Sequence, residues 1–361
     1  MYNYTYKFRI YPNKEQVIQL SKTFGCTRYV YNYYLEKSKD NNYKNKTVNN
    51  NDCNRILKKE NVWLKSVDKF AITNSIYNLD NAFKHFFNHG YGYPKFKSKS
   101  NIQSYQTNYT NNNIEVLDNS IKLPKLGKVK AKLHRCLVGR IINATIKKYS
   151  SGCYYVSILV EREIEDKSIA SEIIGIDMGL KDFVIDNIGN KYTNPEALKY
   201  LEYKLIREQQ RLSKKTKKSN NYYKQVKKIA RIHNKIENIR NDYLHKLSTS
   251  IINENQVIIV EDLDVSSMKQ NKMIAKKVSD VSISKFISML EYKSNYYGRV
   301  FKKVNRYYAS SQICHVCGYQ NKEVKNLNVR NWICPKCLEE HDRDINASIN
   351  ILEQGLLQII L

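Results

Sequence analysis

Four cysteines stand in two pairs, Cys314/Cys317 and Cys334/Cys337, with sixteen residues between the pairs. Two tight Cys-x-x-Cys turns at that spacing present four thiolates to one tetrahedral Zn²⁺, the arrangement of a zinc ribbon. Gly318 follows the first pair, where a turn calls for positive φ, and Pro335 lies inside the second. Two disulfides or two redox dithiols are the competing use of these residues, and a large, basic, intracellular-looking chain disfavours them. A closed four-thiolate site leaves no position open for substrate, so chemistry must be sought elsewhere.

Acidic residues supply it. Asp177 ends the hydrophobic run Ile173-Ile174-Gly175-Ile176, Glu261-Asp262 end Val257-Ile258-Ile259-Val260, and His341-Asp342-Arg343-Asp344 open an amphipathic run through Ile345, Ile349 and Leu352 that reads as a helix. Each acid alone is a common turn or cap residue. Together, in the order Asp, Glu, Asp, they form the pattern of a two-metal nuclease site. There, carboxylates hold two Mg²⁺ ions, one activating water and the other stabilising the leaving 3′ oxygen of a phosphodiester. Glu261 and Asp262 point to opposite faces of their strand, so only one can join the metals; Asp342 likewise competes with Asp344. Glu261 and Asp344 are the expected members, with Asp182 and His341 as candidates to support them from behind.

The formal charge is +27, from 61 Lys and Arg against 34 Asp and Glu, and 29 tyrosines are spread among them. Such a balance fits a polyanionic partner whose phosphates meet cations and whose bases stack on aromatic rings. Coding bias inflates Asn and Ile as readily as Lys, so it does not account for the asymmetry. No run of about 18 apolar residues could cross a membrane. The start, MYNYTYKFRIYP, lacks the apolar core of a secretory signal. A cytoplasmic protein is expected. Cys26, Cys53, Cys136 and Cys153 have no paired spacing and read as buried small hydrophobes.

These residues must be positioned by elements that the periodicities outline. Tyr4 to Tyr11 alternates as a strand halted by Pro12. Helical spacing follows from Lys14 and again from about Asp68 to Phe87, with an Asn/Lys-rich loop over Asp40 to Asp52 between them and a basic aromatic patch from Gly90 to Lys97 behind them. From Ser104 to Arg162 the period becomes two, as in a small antiparallel barrel that the first strand completes. The strand before Asp177 is followed by Phe183-Val184-Ile185 and by a turn at Asn187 to Asn190. Tyr200 to Ser250 is helical, with 15 Lys and Arg against four acids between Lys199 and Lys246. An amphipathic helix over Ser282 to Tyr297 and a strand over Val300 to Tyr307 precede the cysteines.

In these stretches the chain resembles the TnpB family, RNA-guided nucleases carried by insertion-sequence transposons and related to the type V CRISPR effectors. The matching segments are KFRIYPNKEQ with FGCTRYVYNYYL, WLKSVDKFAITNS, SYQTNYTNNN with IKLPKLGKVK, GIDMGLKDFVI, the basic helical region, EDL, and SSQICHVCG with WICPKCLEEHDRDINASINI. They run nearly end to end and in order. The family's HDRD-x-NAA-x-NI stands here as HDRDINASINI, and only a few residues follow the last helix, where many relatives carry a tail.

The resemblance implies an α/β protein: a RuvC nuclease domain of RNase H fold over 169–309 and 339–361, a zinc ribbon over 310–338, a wedge-type β-barrel over 1–12 and 99–168, and a helical recognition insert over 13–98. By matching motifs, Asp177, Glu261 and Asp344 become the catalytic triad that holds Mg²⁺, and the four cysteines hold a structural Zn²⁺. Lys69, Phe70 and Thr73, with Thr110 and Asn111, fall in stretches that resemble the family's DNA-motif-reading surface. The implied partners are a guide RNA from the transposon end and target double-stranded DNA, with one protein per RNA, no membrane and a nucleoid-associated location in the cytoplasm. Base pairing then carries most of the sequence specificity.

Three rival readings weigh against this. A DNA-strand transposase usually orders its acids Asp, Asp, Glu. An RNA-guided DNA-binding repressor that has lost cleavage would carry a broken triad, whereas all three acids are present. A zinc-ribbon RNA-binding protein without enzymology leaves the strand-end acids unexplained.

Overall fold

A computed structural model of the protein describes residues 1–40, 50–100, 102–163, 168–179, 182–270, 282–326 and 328–360. The chain forms two compact units, Met1–Glu163 with Val226–Arg231, and Ile164–Gln225 with Ile232–Leu361.

The first unit opens with β1 (Tyr2–Tyr11), which buries Tyr6, Phe8 and Ile10 on one face as strict alternation requires. Pro12 ends it, and α1 (Lys14–Asp40) starts on a reciprocal cap in which Gln16 N–H donates to Asn13 Oδ1 at 2.8 Å and Asn13 N–H donates to Gln16 Oε1 at 3.0 Å. Next come α2 (Asn50–Glu60) and α3 (Lys69–His89). The chain returns as β2 (Gln103–Asn108), β3 (Glu115–Leu117), β4 (Ser120–Leu123), β5 (Gly127–Lys132), β6 (Arg140–Lys148) and β7 (Tyr154–Arg162). These strands and β1 make one curled antiparallel sheet in the order β2-β6-β7-β1-β5-β4-β3, so the first strand does join strands read more than 90 residues later.

Helix α2 overlaps the expected loop only at 50–52, and the rest of it, through Glu60, lies in a stretch to which the periodicities assign no element. Its only apolar side chains within the described residues are Ile56 and Leu57; a fully buried Leu57, packed with Ile72 and Ile76 of α3, anchors it. Residues 41–49 of the expected loop lie outside the described residues. Of the cysteines expected to be buried, Cys26 is, but Cys136 is exposed and Cys153 is half-buried, accepting from the Arg9 guanidinium at 3.3 Å. The Cys53 side chain lies outside the described residues.

The second unit contains β8 (Glu172–Asp177), β9 (Val184–Asp186), β10 (Lys191–Tyr192), α4 (Glu196–Ser213), α5 (Asn220–Glu254) apart from Val226–Arg231, β11 (Asn255–Glu261), α6 (Val265–Gln270), α7 (Ile283–Tyr296) and β12 (Val300–Val304). The hairpin strands β13 (Asn331–Ile333) and β14 (Glu340–Asp342) and the final helix α8 (Arg343–Ile360) follow. Its five-stranded sheet runs β10-β9-β8-β11-β12, with β8, β11 and β12 parallel and the β8-β9-β10 meander antiparallel.

Strands β8 and β11 are covered on both faces, which is why they read as unbroken apolar runs. Ile174, Ile176, Ile258 and Val260 pack with Leu244, Ile251, Phe286 and Leu290 of α5 and α7, while Ile259 and Val304 pack with Ile351 of α8 on the other side. Two glycines let α8 lie close. A Cβ on Gly175 would meet the Ser348 carbonyl and Leu352, and one on Gly355 would meet the Ile259 side chain. The expected helix at His341 begins two residues later, because His341 and Asp342 are held in β14 opposite Trp332 and Asn331.

Candidate functional site

Asp177 and Glu261 end neighbouring parallel strands whose last recorded pair is Ile176 with Val260, so the two acids leave the sheet side by side at its carboxyl edge. The pleat decides which way they face. Ile174 and Ile176 face α5 and α7, so Gly175 and Asp177 belong to the α8 face; Ile258 and Val260 likewise put Ile259 and Glu261 there. Asp344 is in the first turn of α8, the helix that covers this face. Burial, and then the negative charges of Glu261 and Asp344, push the Asp177 carboxyl up to about 7. Burial, and then Asp262, raise that of Glu261.

Each competing acid is occupied elsewhere. Asp262 pairs with Arg306 at 2.7 Å, on the opposite strand face. Asp342 caps α8, accepting from the Asp344 N–H at 3.0 Å and the Ile345 N–H at 3.2 Å, and pairs with Lys191 at 2.6 Å. Asp186 is buried in its own turn, accepting from Ile188, Asn190 and the Asn190 side chain. Asp182 is close enough to Lys191 to raise its affinity for a proton, after the larger effect of Asp342. Sequence reasoning missed Arg330, whose guanidinium lies 3.1 and 3.3 Å from the two oxygens of Asp344. Its signal was weak, a cation just before a short strand.

The four thiols converge, with Cys314 and Cys337 3.6 Å apart, Cys317 and Cys334 3.5 Å apart, and all four sulfurs within 4.8 Å of one another. A tetrahedral ion with bonds of about 2.3 Å separates its sulfurs by about 3.8 Å, so the set fits zinc. Among the described residues these are the one group of three or more Cys, His, Asp or Glu side chains drawn that close; the carboxylates stand wider.

His341 serves this cluster and not the acids. Its Nε2 is 3.1 Å from Cys314 Sγ, and its buried ring rests against Trp332 with centroids 4.6 Å apart. The asparagines of the NASIN segment tie the first knuckle to α8. Asn346 donates to Ile313 O at 2.7 Å and accepts from the His315 N–H at 3.1 Å; Asn350, one turn on, donates to Ser310 O and Ile313 O at 2.8 and 2.6 Å. The Arg343 N–H donates to Arg330 O at 2.8 Å, so hairpin, knuckle and the helix bearing Asp344 form one hydrogen-bonded assembly.

In the first unit, Lys69, Phe70 and Thr73 occupy the opening turns of α3, capped by Asp68, and Thr110 and Asn111 lie in the turn after β2. Asn74 joins the two stretches, donating to Gln106 O at 2.9 Å and Asn108 Oδ1 at 3.0 Å. Asn111 and Asn112 both take positive φ, 46° and 55°, a backbone that asparagine tolerates better than most residues.

Family models match in chain order: a helix-turn-helix domain of the OrfB_IS605 family over 1–47, OrfB_IS605 itself, described as "Probable transposase", over 156–272, and a Cas12f1-like TNB domain over 284–351. Two relatives carry the name "Putative RNA-guided DNA endonuclease". One, from Streptomyces pristinaespiralis, is 34% identical over 97% of this chain and 89% of its own. The chain belongs to the TnpB family. The other relative, InsQ of Escherichia coli (strain K12), is 28% identical over 97% of this TnpB chain and 92% of its own. The fold is similar to that of the protein in a cryo-EM Cas12f1-sgRNA-target DNA complex, with a TM-score of 0.60 at 14% identity over 97% of this chain and 98% of that one. In this TnpB chain the N-terminal stretch matched by the helix-turn-helix model is, over its described residues, a strand followed by one long helix. Among the described residues, no helix is long and apolar enough to cross a membrane.

Proposed function

We propose that this chain is the RNA-guided DNA endonuclease of an insertion-sequence element, cutting double-stranded DNA beside a short transposon-adjacent motif with Asp177, Glu261 and Asp344. In this reading the five-stranded sheet with α8 is a RuvC domain of RNase H fold, the cysteine hairpin its zinc ribbon, the seven-stranded sheet the wedge-type barrel and α1 to α3 the recognition insert. One observation carries it: two acids at adjacent strand ends and a third on the covering helix share one face, closely enough that the other two raise the Asp177 carboxyl. The names of the relatives, and the RNA and target DNA of the Cas12f1 complex, support a guide RNA and target DNA as partners. The excess of cations supplies the charge for both.

Carboxylate oxygens on rigid elements suit Mg²⁺, and the repulsion that Glu261 and Asp344 exert on Asp177 is the electrostatic demand that a divalent cation answers. Asp177, Glu261 and Asp344 would hold it. Bound there, Mg²⁺ supplies Lewis acidity towards a phosphodiester and neutralises its charge. Arg330, beside Asp344, offers a planar fork of donors to phosphate oxygens, and Asp342 with Lys191 holds the start of α8 in place.

The deciding experiment purifies the protein with the RNA that accompanies it, sequences that RNA, and presents matching duplex DNA with Mg²⁺. Cleavage by the wild type, with guided binding but no cleavage by Asp177→Ala, is the expected result. Equal inertness of both proteins under Mg²⁺ and Mn²⁺, with target binding intact, would establish the non-cleaving repressor instead.

A further inference from the structure

The end of α3 carries a cluster of rings that the cutting site does not use. Gly90, at φ 65° with its N–H on His85 O, closes the helix and turns the chain back, so that Tyr91 and Tyr93 return over the face formed by Phe83, Phe86 and Phe87. Tyr93 meets Phe83 and Phe86 edge-on at 5.6 and 5.4 Å, Phe87 stacks on Phe83 at 6.2 Å, and Tyr91 meets His85 at 5.4 Å. Phe83 is buried and anchors the group, whereas Phe87, Tyr91 and Tyr93 remain 47%, 65% and 43% exposed. The returning segment is held downstream, where Asn32 accepts from the Lys97 N–H at 2.8 Å and donates to Lys97 O at 2.9 Å. From Asn81 to Ile114 the sequence has four lysines and no acid.

We propose that this face is a stacking platform for unpaired bases of RNA. Deepening the function proposed above, on which it rests, it assigns a place and a mode of contact. A duplex hides its base faces and presents phosphates, so only unstacked nucleotides can cover exposed rings. The rings already brace one another and lose little freedom on binding, and Lys84 and Lys95, both exposed and in the same stretch of chain, supply positive charge for backbone phosphates. The guide RNA is the constant partner and a displaced DNA strand a passing one, so a patch that is apolar in the free protein is matched to RNA.

The test measures binding of the full-length protein to a single-stranded oligoadenylate RNA, its DNA counterpart and a fully paired RNA of equal length, at two salt concentrations. The variants are the pairs Tyr91→Ala/Tyr93→Ala, Tyr91→Leu/Tyr93→Leu and Tyr91→Phe/Tyr93→Phe, each checked for an unchanged melting temperature. The alanine and leucine pairs should lose about tenfold or more for the single-stranded RNA, with the salt slope and duplex binding unchanged, and the phenylalanine pair should bind as the wild type does. Unchanged RNA binding in the alanine pair, an equal loss for the duplex, full binding by the leucine pair, or a loss confined to DNA would each overturn the proposal. A wild type that binds no RNA would remove the functional reading beneath it as well, which separates the two failures.

Discussion

The Arg330 guanidinium reaches both oxygens of Asp344, at 3.1 and 3.3 Å, from the position just before the strand that pairs with the one leading into the helix bearing that acid. A cation on the cysteine-knuckle hairpin is thus delivered to one of the three candidate carboxylates. Arg330→Ala should lower the single-turnover cleavage rate by about 100- to 1000-fold, the scale for loss of one preorganised donor. Filter binding of target DNA should stay within about twofold. Arg330→Lys keeps the charge but not the fork and should fall between them. An alanine variant that cuts at the wild-type rate would remove Arg330 from the site.

The Asp177 carboxyl sets a stability prediction with a definite sign. Native Asp177 holds its proton up to about pH 7, whereas an unfolded aspartate releases it near 3.8, so between these values the folded chain binds more protons and stability falls as pH rises. Glu261 acts in the same direction. Without added Mg²⁺, the melting temperature should therefore drop from pH 5 to pH 8. Asp177→Asn should flatten the drop and gain on the order of 2 kcal/mol at pH 8, while abolishing cleavage. A steeper drop in the variant than in the wild type would contradict the shared-charge geometry.

Zinc should be coupled to Asp344 through His341 and the two asparagines. His341→Ala removes the ring nitrogen that meets Cys314 Sγ and should speed zinc release to a chromogenic chelator by about 10- to 100-fold, the usual effect of losing a residue that supports a metal ligand. Cys314→Ala should lose the metal and, with it, the placement of Arg330, so cleavage fails while RNA still co-purifies. Retention of zinc by His341→Ala with unaltered kinetics would show the contact to be incidental.

Gly355 tests how tightly α8 rides on the sheet. Replacing an interior helical glycine by alanine ordinarily gains about 1 kcal/mol. Here the new methyl meets Ile259, and overpacking at about 1–3 kcal/mol should win. Gly355→Ala should lower the denaturation midpoint, and adding Ile259→Val should restore part of it, a non-additivity that a thermodynamic cycle reads directly. Stabilisation by Gly355→Ala alone would mean that the helix stands further off.

Element types were largely readable, because periods of two and 3.6 follow from strand and helix geometry alone. The strand at Tyr4, the helices from Lys14 and Asp68, the paired strands before Asp177 and Glu261 and the basic helices α4 and α5 all stand where alternation or helical spacing indicated. Helix α2 was not legible, since one buried leucine against α3 holds it and that contact is tertiary. His341 shows the limit more clearly. A histidine beside two aspartates suggests acid chemistry, yet strand pairing with Trp332 turns its ring to a thiol 27 positions earlier.

By itself, the sequence determined the four zinc-type thiols, the three acids in their order and the family, because each rests on residue type and spacing along the chain. It also reduced Glu261 and Asp262 to a choice, since the pleat sends adjacent side chains to opposite faces, and set Asp342 against Asp344. Only the tertiary structure decided between them. Arg306 takes Asp262, and Lys191 with the first turn of α8 takes Asp342; such partners are chosen by through-space charge and hydrogen bonding between segments that lie 44 and 151 positions apart.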